Sequence, residues 1–333
     1  MRADRLITLW LARLYASSNR DAGVLPILMY HSISREPEPG VHPYYQVRTH
    51  PEVFARHMAW LAAHGYRGVD LETGLQQWSN APAHEPPVVC SSLSPREAGG
   101  EGRGEGAPAF LAGRPPQKLQ GVPQQPRPVA ITFDDGFQDV LTEAWPVLAR
   151  HGFTASVFLP TAFIGEQRRC FQNQPCLTWN EVRDLRRGGL RFGSHTVHHG
   201  VLYGMDWPQI QEEIKVSKQD MEQQLGERVT TFAYPYAYPR SDGAYVSRLS
   251  ALLRESGYEC CVTTRVGRAR QGDSPCTLKR LPANSLDDDR LFEAKLAGAY
   301  DWVGPAQHGF KTLQRWWNRT SGVPHGRSPA LSL

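Results

Sequence analysis

PVAITFDDGFQDVLTEAWPVLARHGFTASVFLP, residues 128–160, contains a complete strand–helix–strand unit. An apolar run ends in two carboxylates, Asp134 and Asp135. An amphipathic stretch follows and stops at Gly152, a residue suited to the left-handed turn after a helix. TASVFLP then returns as a second apolar strand. A crossover of this length joins parallel strands, because an antiparallel pair closes through a short hairpin.

The same alternation extends in both directions. Upstream, VLPILMYH (24–31) predicts a buried strand, and PEVFARHMAWLAAHG (51–65) predicts a helix with Phe54, Met58, Leu61 and Ala62 on its inner face and Gly65 at its end. Downstream, TWNEVRDLRRGG opens a helix with Thr178 and Glu181 at capping-box spacing. LRFGSH, VTTFAYP, YECCVTT and LKRLP supply further strands, with helices predicted over 208–225, 243–257 and 286–300. About seven strands with interleaved helices place the chain in the α/β class, as a closed or partly open barrel of parallel strands.

One segment, 79–127, departs from this rhythm. SPREAGGEGRGEGAP and RPPQKLQGVPQQPRP cannot bury enough apolar surface to offset their ordering entropy, so a disordered insertion is expected there. The resulting organisation is an N-terminal amphipathic segment over 1–23, a barrel over 24–302 interrupted by the insertion, and a tail over 303–333.

Composition narrows the function classes. The 333 residues, 40% of them hydrophobic, suffice for a sizeable core, and 37 basic residues against 33 acidic ones give no electrostatic reason to expect nucleic acid as a partner. The six cysteines form no CxxC pair; Cys170 and Cys176 could close a small loop, but free thiols are the commoner outcome in a large domain. Arg13 interrupts the N-terminal apolar stretch, which argues against a signal peptide. An amphipathic helix packed on the protein, or lying on a membrane surface, is expected instead. The corresponding localisation is the cytoplasm or the inner membrane face. Oligomeric state leaves no trace in the sequence.

Two constellations carry chemistry. Asp134 and Asp135 end a strand just before Gly136, where a parallel barrel collects its catalytic groups; an ordinary Asp-Gly turn is the competing reading. GSHTVHHG ends another strand, and three of the chain's twelve histidines fall within residues 195–199. His195 and His199, four apart, can face one ion, with His198 pointing elsewhere. An Asp135/His195/His199 set with open positions suits zinc, with cobalt or another divalent transition ion as alternatives, and leaves Asp134 to take a proton from water.

TFDDG, HTVHH and FAYPY, in this order on alternating strands, resemble the polysaccharide deacetylases of carbohydrate esterase family four, which carry the NodB-type homology domain. The resemblance covers roughly residues 24–299 apart from the insertion. It implies a distorted (β/α) barrel and the removal of acetyl groups from N-acetylglucosamine polymers, or of O-acetyl groups from xylan. It implies Asp134 as catalytic base, Asp135, His195 and His199 as metal ligands, and the Tyr236 backbone N–H as an oxyanion donor. Where family members often carry an arginine to orient the base, this chain has Ala233. Arg280 in LKRLP is the candidate replacement, with Arg265 second. The late motif that supplies the general acid is not visible, and His31, ending the first strand, is the candidate for protonating the leaving amine. Trp179 and Tyr238 are candidate sugar-stacking residues, with core packing as the alternative.

The expected partner is an N-acetylated glycan, in a setting such as exopolysaccharide synthesis. An O-acetyl esterase, a deformylase on a lipid-linked amino sugar, and an inactive carbohydrate-binding relative are the rival readings.

Overall fold

The computed structural model describes residues 3–15, 23–36, 41, 46–80 and 126–306. Most of the segment expected as an insertion, and the tail beyond 306, lie outside the described residues. The ends of the segment differ from expectation, since Ser79 closes a helix and Arg127 opens a strand.

Eight parallel strands form the main sheet: β1 (Ile27–Tyr30), β2 (Tyr66–Val69), β3 (Arg127–Phe133), β4 (Ser156–Leu159), β5 (Arg191–Ser194), β6 (Thr231–Ala233), β7 (Cys260–Val266) and β8 (Leu278–Pro282). Seven of them close a ring in the order β1–β8–β7–β6–β5–β4–β3, with β3 pairing back onto β1. They are the seven strands the sequence predicts. The eighth, β2, is an addition. One edge of β3 pairs with β1, while the other pairs with β2 over Arg127–Ala130 and with β4 at Thr132 and Phe133. The wedged β2 therefore spreads the barrel at its N-terminal end. Its sequence, YRGV, is too short to show a period. Gly68 is needed there, because a Cβ would approach Ile131 Cδ1 to 2.6 Å and Phe153 Cδ2 to 2.8 Å.

The ring strands are buried on both faces, as a parallel sheet covered by helices requires. All four residues of β1 and of β4 are buried. Around them lie α1 (Ala3–Tyr15), α2 (Pro51–Ala63), α3 (Leu71–Ser79), α4 (Trp145–Arg150), α5 (Trp179–Arg187), α6 (Trp207–Leu225), α7 (Gly243–Glu255) and α8 (Asp289–Leu296). Helix α2 buries Phe54, His57, Met58 and Leu61. Ala62, expected on that face, is exposed, because it lies about 100° around the helix from Leu61. Helix α5 has the full capping box, with Thr178 and Glu181 each satisfying the other's backbone N–H.

Helix α1 packs beside α8. Tyr300 donates to Asp4 at 3.0 Å, Trp302 Nε1 donates to Thr8 at 3.1 Å, and Arg5 pairs with Asp288. Its outer side leaves Leu6, Ile7 and Trp10 exposed. Among the described residues, no helix is long and apolar enough to cross a membrane. The chain between Cys170 and Pro175 forms a small antiparallel hairpin, and the thiols of Cys170 and Cys176 are free.

Candidate active site

The site forms where the ring strands end. Asp134 follows the last residue of β3, His195 the last of β5 and His31 the last of β1. Backbone conformation then turns the neighbouring side chains inward. Asp135 (φ 71°), Thr196 (φ 69°), His199 (φ 54°) and Tyr236 (φ 57°) all adopt the left-handed region, which side-chain-bearing residues enter only when their surroundings hold them there. Gln172 and Asn173, at the tip of the small hairpin, share this conformation. Every non-glycine residue with positive φ among the described residues thus lies in the site or on the hairpin beside it. Phe171 of that hairpin packs on the His199 ring, with centroids 4.9 Å apart.

Asp135, His195 and His199 bring one ligand atom each into a common space. His199 Nε2 is 3.1 Å from His195 Nε2 and 3.1 Å from Asp135 Oδ1, and His195 Nε2 is 3.6 Å from the same oxygen. All three residues are buried, and Asp135 Oδ1 lacks a hydrogen-bond partner of good geometry. His195 Nδ1 lies 2.8 Å from the Ala233 carbonyl, which can only accept, so that nitrogen carries the proton and Nε2 presents its lone pair. Burial, then the neighbouring His199, pulls the His195 imidazolium down to about 4, so the ring is neutral at pH 7. Burial alone would raise the Asp135 carboxyl, but the facing His199 outweighs it and holds the group below its ordinary value.

These residues fit a divalent cation. One carboxylate oxygen and two imidazole nitrogens form a zinc-type donor set, and their separations bracket the edge of about 3.3 Å expected for tetrahedral bonds of ~2.0–2.1 Å. The His195 Nε2 lone pair and the Asp135 Oδ1 oxygen, two acceptors 3.6 Å apart, also gain a common partner in such a cation.

Asp134 lies beside this set, 2% exposed. The Arg280 guanidinium grips it with two parallel bonds, Nη1 to Oδ1 and Nη2 to Oδ2, both 2.7 Å. Arg280 is itself oriented by Thr263 O at 3.0 Å and Thr132 Oγ1 at 3.3 Å. Burial would push the Asp134 carboxyl up, but the Arg280 charge and its bonds prevail and hold it well below the usual carboxylate range. Arg280 thus reaches Asp134 from β8. Ala233 contributes only its carbonyl, while its side chain is buried in an apolar cluster with Leu25, Ile27, Phe158 and Val262. Arg265, the second candidate, lines a separate cavity.

His31 Nε2 lies 3.8 Å from Asp134 Oδ2, partly exposed at the mouth. The Tyr236 ring meets His199 edge-on at 4.6 Å, and its carbonyl accepts from Thr264 Oγ1 at 2.8 Å. Trp179 is not at the mouth: at 5% exposure it belongs to the core, because it begins α5 and faces inward with Val182 and Leu185. Tyr238 packs edge-on against Tyr234 at 4.9 Å and lines the same cavity as Arg265. His198 is turned away from Asp135, His195 and His199 and pairs with Glu213.

Glu213 is the residue the motifs did not reveal. Its carboxylate, carried by α6, accepts from the backbone N–H groups of Val197 and His198, both at 2.9 Å, and meets His198 Nδ1 at 2.7 Å. It clamps the turn that carries His199. A signal existed: Glu213 is a carboxylate on the buried face of α6, among Ile210, Ile214, Ser217 and Met221.

Residues 121–260 match the polysaccharide deacetylase family, a span that contains Asp134, Asp135, His195, His199 and Tyr236. His31 and Arg280 lie outside it. The Bacillus subtilis (strain 168) protein YxkH, whose name assigns it to the polysaccharide deacetylases, is 27% identical over 257 residues, 77% of this chain and 70% of its own length. Among solved structures, the Streptococcus pyogenes deacetylase PplD in complex with acetate superposes with a TM-score of 0.58 at 21% identity, covering 82% of this chain and 97% of that one. IcaB from Ammonifex degensii gives 0.56 at 19% identity, covering 83% and 97%. With the paired aspartates and two histidines at the mouth of a seven-stranded parallel ring, residues 121–260 match the polysaccharide deacetylase family, and the chain is similar over most of its length to a protein named for that family.

Proposed function

We propose that the chain is a metal-dependent hydrolase that removes acetyl groups from N-acetylated sugars of a polysaccharide or oligosaccharide. The observation that carries this reading is the adjacency of a buried, arginine-held carboxylate, Asp134, to the convergent Asp135/His195/His199 set. Asp135, His195 and His199 would hold the ion. Zinc, or another divalent transition ion in that place, supplies Lewis acidity toward water and the acetyl carbonyl.

Asp134, kept ionised by Arg280, accepts the proton of the attacking water. The Tyr236 backbone N–H donates to the oxyanion that develops at the acetyl carbonyl. His31, across the mouth from Asp134, donates a proton to the sugar nitrogen as the C–N bond breaks. The products are acetate and a free amino sugar. Glu213 keeps the His195–His199 turn rigid, so the ligands need not reorganise during the reaction.

Acetate release from a chito-oligosaccharide with added zinc or cobalt tests the reading, alongside Asp134→Asn. Metal-loaded wild type should release acetate, a chelator should stop it, and Asp134→Asn should lower the rate by roughly 10²–10⁴-fold while still binding metal. Matched O-acetyl and N-formyl sugars in the same assay separate an esterase or a deformylase from an amide deacetylase. If wild type and Asp134→Asn bind the sugars and release equally little acid from all of them, the chain binds carbohydrate without hydrolysing it and the proposal fails.

A further inference from the structure

A cavity of ≈ 250 Å³ lies where the segment after Tyr236 meets the end of β7. Ala237 and Tyr238 form part of its wall, and so does Thr264, whose hydroxyl donates to Tyr236 O at 2.8 Å. The cavity is therefore one residue and one hydrogen bond away from the site described above. Its lining carries five cations, Arg240, Arg265, Arg268, Arg270 and Lys279, against one carboxylate, Asp301.

Three of the five cations have carboxylate partners. Arg268 and Arg270 share Asp301, at 3.3 and 2.9 Å, and Lys279 lies 3.1 Å from Asp273. Arg240, which is exposed, and Arg265 form no close ion pair with a carboxylate among the described residues, Asp273 acting on Arg265 only at longer range, and Arg265 Nε is buried with no hydrogen-bond partner. Burial, and then the neighbouring Arg240, draws the Arg265 guanidinium below its ordinary value. Two like charges held beside one partly desolvated space repel each other. An oxyanion placed between them relieves that repulsion and matches the guanidinium fork. The acetyl group is neutral, so binding it gives these charges no task.

We propose that this cavity is an oxyanion subsite, holding a phosphate or carboxylate borne by the glycan while the acetamido group lies at Asp134. The inference rests on the deacetylase reading and sharpens it: the substrate is an acidic or phosphate-linked glycan. The test uses the zinc-loaded full chain and three N-acetylated oligosaccharides of equal length, one neutral, one containing a uronate and one ending in a sugar phosphate. Inorganic phosphate is titrated separately by calorimetry.

At least one charged substrate should exceed the neutral one in kcat/KM by about tenfold, mainly through KM. The ratio should fall toward one in Arg240→Gln/Arg265→Gln and recover in part in Arg240→Lys/Arg265→Lys. Which charged substrate leads identifies the anion. Equal kcat/KM for charged and neutral substrates, or a preference that survives the Gln variant, overturns the subsite. If no substrate releases acetate while phosphate binding still requires both arginines, the deacetylase reading fails and the cavity stands as an oxyanion site. If acetate is released equally well from all three substrates and phosphate does not bind, the subsite alone fails.

Discussion

At the scale of single residues, the site depends on how Asp134 and Arg280 offset each other's burial. Removing the arginine leaves a carboxylate buried without a partner, so Arg280→Met should cost about 3–5 kcal/mol at neutral pH. In the folded protein Asp134 sits below its unfolded value of ~3.9, so the contribution of the pair is present above that pH and is lost as the pH falls below it. In Arg280→Met, burial without the guanidinium raises the Asp134 carboxyl, which takes up a proton as the pH falls, so the penalty should be smaller at pH 4 than at pH 7, and Asp134→Asn/Arg280→Met should recover part of it. Denaturant unfolding at the two pH values checks this; a penalty equal at both would mean lost packing, not lost charge. Asp139 titrates in the opposite sense. Burial pushes its carboxyl up to about 6, although Ser32 donates to it at 2.5 Å. Its folded value lies above the unfolded one, so its contribution is fully present below about pH 4 and is lost as the pH rises through 6. Asp139→Asn should gain on wild type by on the order of 2 kcal/mol between pH 4 and pH 7, measured by the same unfolding series. A constant difference between the two proteins would show that Asp139 is solvated like an ordinary surface carboxylate.

At the scale of elements, the turn from His195 to His199 acts as one unit with α6. Thr196 and His199 hold left-handed backbone conformations that the HTVHH sequence would not keep unaided, and Glu213 satisfies the two backbone N–H groups between them. Glu213→Ala removes the oxygen that accepts from both backbone N–H groups and should weaken zinc affinity by roughly tenfold or more, measured by competition with a chelator. His198→Ala should have a smaller effect, because it leaves both backbone bonds to Glu213 in place. Unchanged affinity in Glu213→Ala would mean that the turn holds its shape by backbone packing alone. The barrel element beneath the turn is equally constrained. A Cβ at Gly193 of β5 would come within 2.3 Å of Thr231 Oγ1 and 2.5 Å of Phe158 Cε1, so the strand that delivers His195 has no room for a side chain there.

At the scale of the molecule, closure of the ring brings β8 back beside β1, and this closure carries Arg280 to Asp134 across 146 residues of sequence. The outer layer closes in the same way, with α1 tied to the segment after α8 through Asp4, Thr8, Tyr300 and Trp302. Trp302→Ala should cost about 1–2 kcal/mol in the full chain, and clearly less once residues 1–15 are removed, since both changes break the same contact. Denaturant midpoints of the four proteins complete the cycle; strictly additive losses would show that α1 and Trp302 do not support each other.

The sequence by itself determined the seven ring strands, the helices between them other than α3, and the positions of Asp134, Asp135, His195 and His199 at strand ends. Periodicity, caps and glycine stops are local signals, and they survive in a single chain. The short β2 was illegible, because four residues with a glycine carry no period and its place depends on a free edge of β3. Arg280 could be named from the sequence only as one of two arginines on late strands; ring closure put Arg280 on Asp134 and left Arg265 at the cavity. Trp179 could equally have faced a sugar or the core, and the rotation of α5 put it in the core. Glu213 gave only the weak signal of a charge on an apolar face, since its partners are backbone N–H groups that any sequence possesses. What only the tertiary structure decided are thus contacts between groups far apart in sequence, whose geometry is set by how the barrel closes and not by any spacing along the chain.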